Sequence, residues 1–262
     1  MSEPEITWLS PDTAQIRQPK SSHWEAPFLF LLFGRERSLL IDTGATNDEA
    51  VFPLRATIDR LTDEWLRRNR AVFTRPYPLV VAHSHAHRDH IAGDPLLVRR
   101  PGTTLVGTTP AQVISFFGFH SWPDETVEFS LGRRIVDVIA GPGHEPSAVA
   151  FFDRATGILF TGDTVLPGHL YVRDRAQYRA TIERLIRFRA APTAPLVELR
   201  GAHVEMSATP GVVYPPGTLD QPDELPLPLS PRVLDRVLSA LDASEDAPGK
   251  PVVRKRFVLV DE

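Results

Sequence analysis

Apolar and polar positions alternate along this chain in short blocks, and the blocks predict strands first and helices between them. The runs FLFLLFG (28–34) and SLLIDTG (38–44) are separated only by the polar RER, which predicts a hairpin. In ATIDRLTDEWLRRNRAV (56–72), Ile58, Leu61, Trp65 and Leu66 recur at helical spacing with charged residues between them. PLVVAH (78–83) and TTLVG (103–107) are strand candidates. TPAQVISFFGF (109–119) opens as a helix with Pro110 in its first turn. TVEFSL, RIVDVIAG, SAVAFFD and GILFTGD then follow as four strands punctuated by Gly, Pro and Asp. RAQYRATIERLIRFRA (175–190) predicts a basic amphipathic helix, and APLVELRGAH (194–203) a strand running into a loop. SPRVLDRVLSALDAS predicts a helix capped by Ser230 with Pro231 in its first turn. KRFVLVDE closes the chain as a strand.

The proline-rich stretch TPGVVYPPGTLDQPDELPLPLSP runs from Thr209 to Pro231. Long stretches without regular structure are either functional loops or linkers. A helix and a strand follow this one, so an ordered surface loop is expected over 209–230, with the helix and strand over 231–262. The whole of 1–262 is expected to form one domain.

Composition narrows the function. Apolar residues make up 42% and charged residues 24%, enough for a globular core. The net charge of −4 argues against a nucleic-acid partner, which calls for a basic surface. With no cysteine there is no disulfide, thiolate ligand or cysteine nucleophile. The first twenty residues are polar and acidic and do not read as a signal peptide. The longest apolar run, APFLFLLFG, is too short to span a bilayer. The expected setting is cytoplasmic, without a membrane partner, and the expected partner is a small-molecule substrate.

Four of the nine histidines fall in VVAHSHAHRDHIAGD (80–94): His83, His85, His87 and His90, together with Asp89. Imidazole and carboxylate both bind divalent metals. A strand end is a rigid place to present them. Three further candidates stand in matching contexts: His144 in AGPGHEPS, Asp163 in LFTGDT and His203 in LRGAH. Four separate strand ends delivering metal donors point to a metal site.

SHAHRDHIAG resembles the His-x-His-x-Asp-His signature of the metallo-β-lactamase superfamily. The resemblance continues in order through DTG (42–44), PGHEPSAVAFFD, LFTGDT and GAH. The Asp-His pair sets the register, because only His85 and His87 have the right spacing to Asp89 and His90. The resemblance implies an α/β (α+β) fold, a four-layer αββα sandwich of two mixed sheets flanked by helices, with the site along one edge. It also implies roles. His85, His87 and His144 would hold one metal; Asp89, His90 and His203 a second; and Asp163 would bridge them. Zinc is the default for both ions, while iron or manganese also suits the all-N/O donors. Asp89 would be the catalytic residue, orienting the nucleophile or carrying its proton. Asp42 reads equally as a partner of a ligand histidine or as a turn-forming residue. His83 reads as a structural strand-end histidine or a supporting one. His169 and Tyr171 are candidates for the pocket wall. The aromatic segment Phe116–Trp122 is a candidate lid or a piece of core.

An Asp at position 163 is similar to hydroxyacylglutathione hydrolases and lactonases. Hydroxyacylglutathione hydrolases carry a helical C-terminal domain that binds glutathione, whereas the 59 residues after His203 soon enter the proline-rich loop, a departure that argues against glutathione thioester specificity. The expected reaction is therefore attack of a metal-bound hydroxide on an ester, thioester or lactone carbonyl. The alternative is a mononuclear iron persulfide dioxygenase, needing only His85, His144 and Asp163. β-Lactamase and phosphodiesterase activities stand behind these two.

Overall fold

The computed structural model describes residues 3–69, 76–190, 194–245 and 249–262. The elements run β1 (Glu5–Ser10), β2 (Thr13–Arg17), β3 (Phe28–Phe33), β4 (Ser38–Ile41), α1 (Leu54–Arg68), β5 (Leu79–Ala82), α2 (Arg88–Ile91), α3 (Asp94–Leu97) and β6 (Thr103–Leu105). Then come α4 (Pro110–Phe117), β7 (Thr126–Ser130), β8 (Ile135–Ala140), β9 (Val149–Asp153), β10 (Ile158–Gly162), β11 (His169–Val172), α5 (Arg175–Arg189), β12 (Glu198–Gly201), α6 (Val233–Ala243), β13 (Val252–Val253) and β14 (Val258–Asp261).

Two mixed sheets dominate. The first has the order β1-β2-β3-β4-β5-β6, antiparallel up to β4 and parallel from β4 to β6. The second is β12-β10-β9-β8-β7, in which only β12 and β10 are parallel. The strand β3 shows why its sequence is continuously apolar. Phe28, Phe30 and Leu32 belong to the core between the sheets, with Phe151 and Phe160 from the second sheet. Leu29, Leu31 and Phe33 point the other way, into a core shared with Ile58, Leu61 and Trp65 of α1. A strand buried on both faces loses the polar alternation of a half-exposed one. Trp65 stacks on Phe33 at 4.9 Å and donates its indole N–H to Asp12 Oδ1 at 2.7 Å. The outer face of the second sheet buries Phe152 and Leu159 against Tyr178 and Ile182 of α5 and Leu234 and Val237 of α6. Helices thus cover both outer faces, giving the four layers expected.

The structure adds to the sequence reading in three places. The polar-looking N-terminus forms the hairpin β1–β2, and a third small sheet, β11-β14-β13, joins the C-terminal strand in parallel to His169–Val172. The helix foreseen over 56–72 runs from Leu54 to Arg68; positions 70–72 lie outside the described residues. The late helix starts at Val233, with Arg232 as its cap residue. Ser230 lies two residues before that cap residue, its Oγ accepting the Arg232 N–H at 3.5 Å and its carbonyl the Val233 N–H at 2.8 Å, with Pro231 in that leading turn. α4 has Pro110 in its first turn as foreseen, and the structure adds a reciprocal Thr109–Gln112 capping box. The segment 209–230 is ordered by isolated bridges, Met206 to Val213 and Ser207 to Glu224, and buries Leu227 and Leu229.

Far along the strands from the histidines, Arg134 ties the two sheets together. It bonds both oxygens of the fully buried Asp153 at 2.9 and 2.6 Å and the carbonyls of Asp12 and Phe33 at 2.6 and 2.9 Å. Removing one member of a buried pair leaves an uncompensated charge, costing about 3–5 kcal/mol. Arg134→Met is therefore expected to lose about that much stability in urea unfolding, with Arg134→Met/Asp153→Asn recovering part of it. Equal midpoints for wild type and the single variant would deny the clamp.

Candidate metal centre

The two sheets meet at one edge, and their strand ends carry the donor residues. Ala82 of β5 pairs with Ile41 of β4, so the two parallel strands end side by side. One delivers Asp42 and the other His83–His87; Asp89 and His90 follow in α2. The second sheet delivers His144 after β8, Asp163 directly after β10 and His203 just past β12. Backbone bonds sew this edge together: Val149 N–H to Ser84 O at 2.8 Å and Phe28 N–H to Ala202 O at 2.8 Å. Gly162 sits at the seam with φ +52°, where a Cβ would lie 2.5 Å from that of Ser84. Any side chain there would wedge the sheets apart.

The donors form two groups that share Asp163. In the first, His85 Nε2 lies 2.9 Å from His87 Nδ1, which lies 3.2 Å from His144 Nε2; Asp163 Oδ2 is 3.8 and 3.9 Å from His85 and His144. In the second, Asp89 Oδ2 is 3.0 Å from both His90 Nε2 and His203 Nε2. Those two nitrogens are 3.3 Å apart, and each is 3.5 Å from Asp163.

The outer nitrogens explain which way the lone pairs point. His144 Nδ1 faces Tyr171 O at 2.9 Å, His203 Nδ1 faces Glu25 O at 3.1 Å, and His90 Nδ1 faces Asp42 Oδ2 at 2.9 Å. These oxygens only accept, so each Nδ1 is the donor and a neutral ring turns the Nε2 lone pair inward. Ser84 Oγ donates to Asp42 Oδ2 at 2.8 Å and is left to accept from His85 Nδ1 at 3.1 Å, with the same result. His87 differs. Arg173 Nη1, a pure donor, lies 2.9 Å from its Nε2, so this arrangement keeps the proton on Nδ1. Ligation through Nδ1 requires Arg173 to shift toward Glu262, which already accepts from its Nε at 2.9 Å.

These groups suit a metal ion. Without an ion the inward nitrogens of His90 and His203 hold protons against Asp89, and that of His87 against His85 Nε2; a bound metal would take the place of those protons. The separations of 2.9–3.3 Å between inward nitrogens are close to the edge of a tetrahedron of donors about 2.05 Å from zinc, about 3.3 Å. Asp163 Oδ1 is buried with no hydrogen-bond partner among the described residues. Charge agrees. Burial pushes Asp163 up, but His203 and His90 outweigh it and hold the carboxyl well below the usual range. Asp89 is likewise driven low, burial being overcome by His90 and His203. Burial lowers His203, yet Asp163 and Asp89 prevail and lift it to about 9; His90 is raised against burial by Asp163, Asp42 and Asp89. His85, fully buried among other imidazoles, is lowered. The carboxylates stay anionic and call for a cation between them.

Asp42 is buried at φ +66°, accepts the N–H of Ser84 at 2.7 Å and orients His90. Outer partners of ligand histidines typically carry 10–100-fold in metal affinity. Asp42→Asn, which tolerates positive φ, is expected to weaken metal binding by about that factor in chelator competition. An unchanged affinity would reduce Asp42 to a turn residue.

His83 is buried behind the site, Nδ1 3.2 Å from His90 O and Nε2 3.3 Å from Asp94 Oδ1, and reaches neither donor group. A cavity of about 190 Å³ opens over the donors, walled by Trp24, Glu25, Tyr171, Arg173, Glu205 and Glu262. Tyr171 is in this wall. His169 stacks on Tyr171 and bonds Glu205 at 2.9 Å, one step behind the wall. The sequence reading passed over Trp24, Glu25 and Arg173; the only signal for Arg173 was its place two residues after Tyr171. The aromatic segment is core rather than lid: Phe117 and Phe119 are buried between the sheets, with Trp122 packed on them.

A family model described as the metallo-beta-lactamase superfamily matches residues 24–197. The chain belongs to the metallo-β-lactamase superfamily. Among curated proteins this superfamily member is similar to a hydroxyacylglutathione hydrolase of Methylococcus capsulatus, 30% identical over 146 residues, covering 52% of this chain and 53% of that protein. It is also similar to the hydroxyacylglutathione hydrolase of Brucella ovis, 27% identical over 106 residues, covering 39% and 41%. The chain spans about half the length of these relatives or less. Among solved structures it is similar to a metallo-beta-lactamase from Pontibacter korlensis, with a TM-score of 0.59 and 18% identity over 92% of this chain and 99% of that one. TMB-1 matches with 0.58 and 13% over 94% and 100%. At such identities the likeness is one of fold. No helix among the described residues is long and apolar enough to cross a membrane.

Proposed function

We propose that this metallo-β-lactamase superfamily member is a binuclear metal-dependent hydrolase acting on an ester, thioester or lactone carbonyl of a small molecule. The observation that carries the reading is the pair of donor groups sharing Asp163. His85, His87 and His144 would hold the first ion and Asp89, His90 and His203 the second, Asp163 being common to both donor groups. Zinc suits this set best, and iron or manganese would be held by the same atoms. Bound there, the ions supply hydroxide at neutral pH and polarise the carbonyl.

The chain's own residues do the rest. Asp42, Tyr171 O and Glu25 O fix the outer nitrogens of His90, His144 and His203, so the inner ones stay aimed. Asp89, anionic at the cavity floor, accepts the nucleophile's proton or directs it to the leaving group. Trp24 and Tyr171 flank the cavity and limit the substrate to a small group near the donors. The iron dioxygenase alternative needs a single facial triad. It leaves Asp89, His90 and His203 converging to no purpose, which favours the binuclear reading. The residues 1–262 are taken as one catalytic domain, since both strands and helices from its two ends pack on the same sandwich.

A panel of lactones, thioesters, simple esters and β-lactams, assayed with the zinc-loaded protein before and after chelation, tests this. Hydrolysis of a lactone or thioester that is lost on chelation and restored by zinc is the expected result. Oxygen uptake on a persulfide with no hydrolysis of any panel member would replace the reading.

A further inference from the structure

Away from the metal centre, the start of α6 and the turn from β13 to β14 enclose a cavity of about 320 Å³. It shares no lining residue with the cavity over the donors. Arg232, Arg236, Lys255 and Arg256 surround it, and its apolar floor is Leu229 and Val233. No carboxylate lines it. None of the four cations lies within ion-pair distance of a carboxylate among the described residues, and the acids close by in sequence bond other arginines, although the charge of Arg232 also acts on Asp235. Asp235 is held through both oxygens by Arg189 at 2.7 Å, and Asp261 by Arg175 at 2.6 Å. In a chain of net charge −4, the buried and half-buried arginines Arg134, Arg154 and Arg175 each have an acid beside them. Four positive side chains around one concavity, three exposed and one half-buried, focus a positive potential there that favours an anion.

We propose that this cavity binds a multiply charged phosphate compound. The volume is at the small end of small-molecule sites. Three guanidinium groups offer forked N–H donors matched to phosphate oxygens, and the lysine adds a point charge. The concave shape and apolar floor favour a soluble ligand that enters over a flat lipid surface.

The test is calorimetric titration of the intact protein with inorganic pyrophosphate at fixed ionic strength, repeated with Arg236→Glu/Arg256→Glu. Both side chains lie outside the core, so circular dichroism is expected to match wild type; Arg236→Gln/Arg256→Gln serves if it does not. One-to-one binding with a Kd below about 1 mM, weakened at least about tenfold in the variant, supports the site. The variant keeps the metal centre, so binding that persists in it would place pyrophosphate on the metals and overturn the proposal. Absence of binding to wild type would also overturn it. Co-sedimentation with phosphatidylglycerol vesicles, lost in the variant and without pyrophosphate binding, would overturn the soluble ligand in favour of a lipid headgroup.

Discussion

Asp89→Asn is expected to lower kcat by about 10³-fold or more while leaving the fold, read by circular dichroism, as in wild type. Position and charge both argue for this. Asp89 lies in the first turn of α2, its side chain facing the cavity rather than the hydrophobic core. Its Oδ2 is 3.0 Å from both His90 Nε2 and His203 Nε2, and those rings hold the carboxyl in its anionic form. Asparagine has the same shape but can neither accept a proton nor supply the negative charge. Positioned acid–base groups typically contribute 10²–10⁴-fold, and a weakened second donor group adds to the loss. Steady-state rates on whichever ester, thioester or lactone the wild type accepts decide it; near-wild-type turnover would remove Asp89 from the chemistry.

His203→Ala is expected to halve the bound metal. His203 is nearly buried and reaches the second donor group from beyond β12. Its loss removes one of the four donors of the second group and leaves Asp89, His90 and an Asp163 divided with the first group, a weaker set for a second ion. The first group, His85, His87 and His144, is untouched. Elemental mass spectrometry on dialysed protein reads the outcome, and His144→Ala is expected to deplete the other ion. Unchanged stoichiometry in His203→Ala would refute the assignment of the second ion.

Much of this site was legible in the sequence because its residues stand at strand ends that are themselves legible. LVVA, ILFTG and the run before His144 are apolar enough to be read as buried strands, and the donors follow within a few residues of their ends. Their convergence was not legible from spacing; it came from the resemblance. The missing pieces were of two kinds. The hairpin β1–β2 carries a real alternation, Ile6 and Trp8 then Ala14 and Ile16, but it is interrupted by Pro11-Asp12 and flanked by polar residues. The cavity wall is built by long-range pairing that no local pattern encodes. Val172 O accepts from Glu262 N–H across the β11–β14 ladder, which brings Glu262 beside Arg173, and Glu25 arrives through the loop before β3.

The most direct test of the binuclear account is the metal content of protein purified without added metal, measured by elemental mass spectrometry against amino-acid analysis. The account predicts two zinc ions per chain, falling to none on chelation together with hydrolytic activity. One iron per chain, unchanged when zinc is offered in excess, would contradict it.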